Sequence, residues 1–456
     1  MFYFQSPSSN YFNKIWYKNT YELFDIDDND LMSHYFNIGS KLNYNPSLYF
    51  NTVWYKNTYN IPDYINPLEH FCAQLAKKNN NLKPNEQCKF FITNGYWNSD
   101  CVYVNIKNDF IPLKKEKKRI NLLLPALSFS AGPQTIYIFA NLLYENNYNV
   151  RIISVYAPIN NNFRETILDK VKFNNNIEIE SLYSNDIKIS YDDIFIASAW
   201  WTVFPLKFIL GYLTNKKFFW FIQENELLLH CADETYAKAI ECYNMNYYSF
   251  INTSILFDDL KKNNFFKFSN NDYILNNCIV FEPAFDTKLF KYIKKDNRKK
   301  LKIIFYSRDA TVASRNIVNL LHLLLLNAYK NGILNEENCE IYGFGQKKNK
   351  VLICDDFYYE DLGFLDLSDY SKLICESDIL ISFQMAPHPS YPPLEMLFCN
   401  GVCLHTEFSN KTNETMARYS DKILLVEPSI NALLDGLIKC IDIIKKIIFL
   451  INHHFY

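Results

Sequence analysis

Twice along this chain a basic run gives way to a short, largely apolar segment, and each time an alternation of strand and helix starts afresh. Lys114-Lys115-Glu116-Lys117-Lys118-Arg119 precedes Ile120–Leu124, and Lys294-Lys295-Asp296-Asn297-Arg298-Lys299-Lys300 precedes Leu301–Tyr306. Short apolar runs of this kind suit strands buried on both faces, which are found in parallel sheets covered by helices. After the first restart the pattern predicts strand Asn121–Pro125, loop Ala126–Pro133, helix Thr135–Asn146 and strand Val150–Val155, with later strands at Ile194–Ala197 and Lys217–Ile222. After the second it predicts strand Lys302–Tyr306, loop Ser307–Ser314 and helix Asn316–Lys330, then strands Glu340–Tyr342 and Ile379–Ser382. Loop Phe383–Pro392 then enters helix Pro393–Asn400, which Gly401 stops. Two such series imply an α/β chain with two Rossmann-like domains facing one cleft, and ligands bind outside the carboxyl ends of such strands.

The remaining length extends on either side of these series. Phe12-Asn13-Lys14-Ile15-Trp16-Tyr17-Lys18-Asn19-Thr20-Tyr21 recurs as Phe50-Asn51-Thr52-Val53-Trp54-Tyr55-Lys56-Asn57-Thr58-Tyr59, identical at eight of ten positions. Each copy leads to a helical segment, containing His34 or His70, both read as packing or capping residues. The expected divisions are a helical repeat module over 1–112, domains over 119–293 and 299–432, and a C-terminal helix over 433–456. That last segment is apolar with Lys439, Lys445 and Lys446 interposed, and is read as packed on the body, with a membrane surface as the alternative.

Composition removes several function classes. Only 10 of 456 residues are Gly, and their positions allow no G-x-G-x-x-G, Walker loop or nucleophile elbow. Net charge is −2, so there is no global basic field and no nucleic acid partner is expected. The 12 Cys form no C-x-x-C pair and read as buried reduced thiols, with no metal and no cofactor expected. No signal peptide or spanning segment is read, which predicts a cytoplasmic protein with peripheral contact at the inner membrane as a further expectation.

Three loops carry the candidate chemistry. Met385-Ala386-Pro387-His388-Pro389-Ser390-Tyr391-Pro392-Pro393-Leu394-Glu395 is a proline-stiffened entry to a helix. Free amides at a helix start favour an anion, so the Ser390 and Tyr391 amides are placed at a diphosphate, and Glu395, expected in the first turn, at ribose hydroxyls. The bland alternative is a rigid turn. Arg308 and Arg315 offer guanidinium groups for phosphate oxygens and for a departing diphosphate. Gln223-Glu224-Asn225-Glu226, with Trp200-Trp201-Thr202, suits sugar stacking, hydroxyl binding or base catalysis, with core Trp as the alternative.

Asn121–Ser128, Ala197–Thr202, Phe221–Glu226, Phe305–Arg308 with Arg315-Asn316, and Pro387–Met396 together resemble, in this order, the WsaF-type rhamnosyltransferases. These are glycosyltransferases of family 4 with the GT-B fold, linked to surface polysaccharide synthesis. The Trp-Tyr repeat is similar to modules preceding some bacterial polysaccharide glycosyltransferases. The resemblance implies a metal-independent, retaining enzyme that moves a deoxyhexose, L-rhamnose from dTDP-L-rhamnose, onto a glycan or lipid-linked glycan of the cell envelope. A UDP- or GDP-sugar donor, or a carbohydrate-binding protein on the same fold, are its alternatives. It assigns Arg308, Arg315 and Glu224 to catalysis. It assigns Glu395, Ser390, Tyr391, Pro392, Gly343, Gly345, Gly363, Phe364, Leu365 and Gly132 to the donor. Trp200, Trp201, Thr202, Gln223 and Glu226 would meet the acceptor. Where family 4 often has two Glu eight positions apart, Pro387 stands in the earlier place.

Overall fold

The structure, a computed structural model, describes residues 11–47, 50–76, 82, 108–128, 131–159, 173–230, 232–293, 300–308, 315–345 and 349–453. Loop residues 309–314, at the centre of one expected site, and 129–130, in another, lie outside them.

The duplicated sequence folds as duplicated contacts. Helices Lys14–Thr20 and Thr52–Tyr59 each start on an asparagine: Asn13 Oδ1 accepts the Trp16 N–H and Asn51 Oδ1 the Trp54 N–H, both at 2.9 Å. Tyr17 and Tyr55 are fully buried, and their hydroxyls meet Nδ1 of His34 at 3.0 Å and of His70 at 2.9 Å. The two histidines are therefore packing partners within this module.

The module does not end cleanly at 112. Strand β1 (Phe110–Leu113) pairs in parallel with β5 (Ile187–Ser190) of the following domain. Ile111 joins the core of the module, whereas Phe110 joins the core of that domain. The expected boundary thus runs through a strand that both units share.

The first α/β domain contains β2 (Ile120–Leu124), β3 (Val150–Ser154), β4 (Glu178–Ser181), β6 (Ile194–Ala197), β7 (Phe218–Ile222), β8 (Tyr247–Asn252) and β9 (Cys278–Phe281). Their order is β4-β3-β2-β6-β7-β8-β9, with every pairing parallel. The second domain contains β10 (Leu301–Tyr306), β11 (Cys339–Phe344), β12 (Asn349–Cys354), β13 (Phe357–Asp361), β14 (Ile379–Ser382), β15 (Val402–Thr406) and β16 (Ile423–Val426). Their order is β12-β13-β11-β10-β14-β15-β16, parallel except for the edge pair β12–β13. Counted from its own first strand, the first sheet contains the Rossmann order 3-2-1-4-5-6, and the second does so once its antiparallel edge strand β12 is set aside. The order reverses between β2 and β6 in one sheet and between β10 and β14 in the other, so a ligand crevice is expected at the carboxyl ends of those strands. Strands β2, β3, β14 and β15 are buried along their whole length, as sheets covered on both faces require.

The chain leaves β9 and enters the second domain before its first strand, because Phe290 is already buried in that domain's core and Phe285, Leu289 and Ile293 pack against it. The boundary thus falls before the expected residue 293. Helix Ile430–His453 lays Leu433, Leu437, Cys440, Ile441 and Ile444 into the core beside β15, with Lys439, Lys445 and Lys446 exposed. Among the described residues no helix is long and apolar enough to cross a membrane. Seven of the nine described cysteines are buried.

Candidate active site

Both switch-point crevices open toward each other, and hydrogen bonds join the domains beside them. At the end of β10, Ser307 is fixed by its Oγ and N–H, both donating to Phe344 O. Arg308 follows, its carbonyl accepting from Asn316 Nδ2 at 2.9 Å and its guanidinium lying against the Tyr306 hydroxyl. Asn316 forms a bridge with Gln384, and Met385 N–H donates to Arg315 O, so the loop is pinned to the end of β14. Arg315 then reaches the other domain: its Nη1 lies 3.4 Å from Glu224 Oε2. Nε of both arginines has no hydrogen-bond partner among the described residues.

Glu224 follows β7 and is almost wholly buried. Burial raises its pKa, against the pull of Arg315, Lys411 and the backbone amides of Asn225 and His388. Gln223 beside it points its Nε2 toward Gly132 O at 3.5 Å and leaves Oε1 unpartnered among the described residues. Gly132 lies within helix Ala131–Glu145, which starts earlier than the expected Thr135.

The expected acceptor surface is largely core. Trp200 is buried and donates Nε1–H to His230 Nε2 at 2.9 Å. Thr202 is fully buried, its Oγ1 accepting the N–H groups of Ser198 and Ala199. Glu226 is buried and its Oε2 accepts the Trp200 N–H, closing the start of the short helix Trp200–Val203. Trp200 and Glu226 tie the helix after β6 to the turn after β7, and Thr202 closes its own turn, so all three expected acceptor residues are engaged within this domain. Trp201, half-buried against Trp200, remains at the margin.

The proline loop is tighter than its sequence suggests. Helix Tyr391–Phe398 begins two residues before the expected Pro393, and Glu395 stands in its second turn rather than its first. Proline lacks an N–H, and the first helical turn tolerates this because amides there have no intrahelical acceptor. Ser390 caps the helix at φ +67°, and its N–H donates to His388 Nδ1 at 2.9 Å. The Ser390 amide is therefore already engaged. With Pro392 and Pro393 lacking N–H groups, Tyr391 supplies the amide of that turn. The Tyr391 hydroxyl crosses the cleft to Asn252 Nδ2 at 2.6 Å and Thr135 Oγ1 at 3.1 Å. Glu395 is buried, its Oε2 accepts from the Tyr370 hydroxyl, and burial pushes its pKa up to about 7.

Of the expected glycines, Gly343, Gly345 and Gly363 lie close together, and Gly343 lies within β11. Gly345 N–H donates to Gly363 O at 2.9 Å. Gly345 has φ +100°, and a Cβ there would stand 2.5 Å from the Tyr306 ring. Phe364 beyond Gly363 is 81% exposed, and Leu365 packs inward.

Sequence reasoning passed over His388 as a side chain, and also His405 and Lys411. Lys411 is fully buried, donates to Gln384 O at 3.2 Å, and stands 3.2 Å from His405 Nε2. Burial lowers its pKa to about 7. Its signal was position alone: Phe408–Lys411 is another strand-end loop, after β15.

The chain has the GT-B architecture, two Rossmann-like domains facing a cleft. Residues 301–438 match the family described as WsaF, C-terminal domain. The chain is 25% identical over 242 residues, 52% of its length, to the O-antigen biosynthesis protein RfbC of Myxococcus xanthus, of which it spans 17%. Among solved structures, S. aureus TarM in complex with UDP, fondaparinux and α-GlcNAc-glycerol matches with a TM-score of 0.50 at 8% identity, over 72% of this chain and 93% of that one. WaaG, a glycosyltransferase involved in lipopolysaccharide biosynthesis, gives a TM-score of 0.44 at 11% identity, over 71% and 90%.

Proposed function

We propose that this chain is a metal-independent glycosyltransferase that moves a sugar from a nucleoside diphosphate to a growing surface polysaccharide. The observation that carries the reading is the Glu224–Arg315 pair, 3.4 Å apart, spanning two Rossmann sheets at their facing switch points. A donor diphosphate between the sheets would meet Arg308 and Arg315, whose cations stabilise the charge that develops on the leaving group. Tyr391 N–H and the helix behind it add a partial positive charge at the same end. Glu395 holds one oxygen on Tyr370, which leaves the other for a ribose hydroxyl. Gly343, Gly345 and Gly363 let backbone approach the nucleotide. Glu224 faces the acceptor side, with Gln223 and Trp201 beside it.

The donor is L-rhamnose carried on dTDP, reacting with retention, and the acceptor a glycan or lipid-linked glycan at the cytoplasmic face of the membrane. The WsaF match over 301–438 supports this choice, and RfbC's description supports the polysaccharide setting. Mass spectrometry of products from a panel of dTDP-, UDP- and GDP-sugars, with oligosaccharide acceptors, tests it. Transfer from dTDP-L-rhamnose is the expected result. Transfer from another donor alone would keep the enzyme class and overturn the sugar.

A further inference from the structure

We infer that His388 is a donor-positioning residue whose Nε2–H hydrogen-bonds a hydroxyl of the transferred sugar. Its Nδ1 accepts the Ser390 N–H at 2.9 Å, so in the neutral ring the proton sits on Nε2. That Nε2 is buried and has no hydrogen-bond partner among the described residues. An N–H group left unpaired in a buried site costs stability, and such a cost is retained where a ligand removes it. The residue is 4% exposed, between Pro387 and Pro389 at the switch point of the second sheet, and its ring stacks on Tyr391 at 5.9 Å.

Its surroundings favour a hydroxyl over a phosphate oxygen. Burial, with Arg315 and Lys411 beside it, holds the imidazole neutral, lowering its pKa to about 3. A neutral donor close to the Glu224 carboxylate, which accepts the His388 backbone N–H, suits a group that both donates and accepts. A sugar hydroxyl entering here would part the long Glu224–Arg315 contact, donate to Glu224 and accept from His388. The same loop lacks the earlier Glu of the family 4 pattern, Pro387 taking its place.

The inference rests on the glycosyltransferase reading, and two variants separate them. In His388→Asn the amide oxygen stands near Nδ1 and still accepts from Ser390, but the Nε2–H is gone. In His388→Gln the amide N–H stands near Nε2, but the acceptor for Ser390 is lost. Calorimetry with the best nucleotide sugar and with its free nucleoside diphosphate, on folded protein checked by circular dichroism, reads the result. The inference predicts that His388→Asn binds the nucleotide sugar about tenfold more weakly, with free diphosphate binding unchanged, and that His388→Gln recovers part of the loss. Equal weakening toward sugar nucleotide and free diphosphate would place His388 on phosphate and overturn it. Wild-type affinity in His388→Asn, with loss only in His388→Gln, would make the ring a support for Ser390 and also overturn it. No binding of any nucleotide by the wild type would overturn the enzyme reading, and this inference with it.

Discussion

Glu226 takes its carboxyl into the first domain, where it closes the start of a helix and lies near Glu224. Burial, with the Glu224 charge added, pushes its pKa from the ordinary 4.5 to about 8, despite the Trp200 N–H. A folded-state pKa above the unfolded one means that the folded state binds the proton more tightly. The associated stability is fully present below about pH 4.5 and is lost as pH rises through about 8. Glu226→Gln keeps the acceptor for Trp200 and removes the titration. Its stability relative to wild type is expected to rise between pH 5 and 8, by up to ~1.4 kcal/mol per pH unit, in urea unfolding at several pH values. A pH-independent difference would show that the carboxyl does not titrate in this window. The sequence could not reveal this role, because a cap joining residues 200 and 226 depends on a tertiary approach. Locally, Glu226 looks the same as an acceptor-binding acid.

At the scale of elements, the turns after β11 and β13 are held by glycine geometry. Gly345→Ala is expected to lose ~1–3 kcal/mol, since φ +100° is strained for alanine and its Cβ would press on Tyr306. Gly211→Ala, with nothing within 4 Å of the added carbon, is expected to leave the melting temperature near wild type. A thermal melt of both proteins makes the comparison, and equal melting temperatures would refute it. The repeat offers a second test. Asn13→Ala and Asn51→Ala each remove an N-cap and are expected to destabilise the module by about 1 kcal/mol each, read by local hydrogen exchange. The strands read at 121–125, 150–155, 194–197, 217–222, 302–306, 340–342 and 379–382 were legible because apolar runs mark them, whereas β8, β9 and the edge pair β12–β13 were not read. The start of helix Tyr391–Phe398 was not, because Pro393 suits the first position and also, as observed, the third. That two-residue difference moves Glu395 out of the first turn and onto Tyr370.

Across the whole molecule, two sheets that share the core order 3-2-1-4-5-6 face each other, and among the described residues they are tied beside the site and farther off. Beside the site, Tyr391 meets Asn252 and Thr135, and Arg315 meets Glu224. Farther off, Asn410 donates to Ile255 O, Arg418 meets Ser254 and Asp258, and Tyr419 donates to Glu282. The two restarts made the domain plan legible, and strand-end position made the polar loops legible. The partnerships between domains were not, since each joins residues more than 90 positions apart with no shared local pattern. For the same reason Lys411 was overlooked: a single lysine in a short loop gains meaning only when Gln384, His405 and Glu224 surround it. The central claim is that this cleft binds the diphosphate of a nucleotide sugar through arginines from one domain. Calorimetric titration of dTDP, UDP and GDP into wild type, Arg308→Ala and Arg315→Ala tests it most directly. Binding of at least one nucleotide by wild type, weakened about 10- to 100-fold in each variant, is the predicted result. No binding, or affinities equal to wild type in both variants, would contradict it.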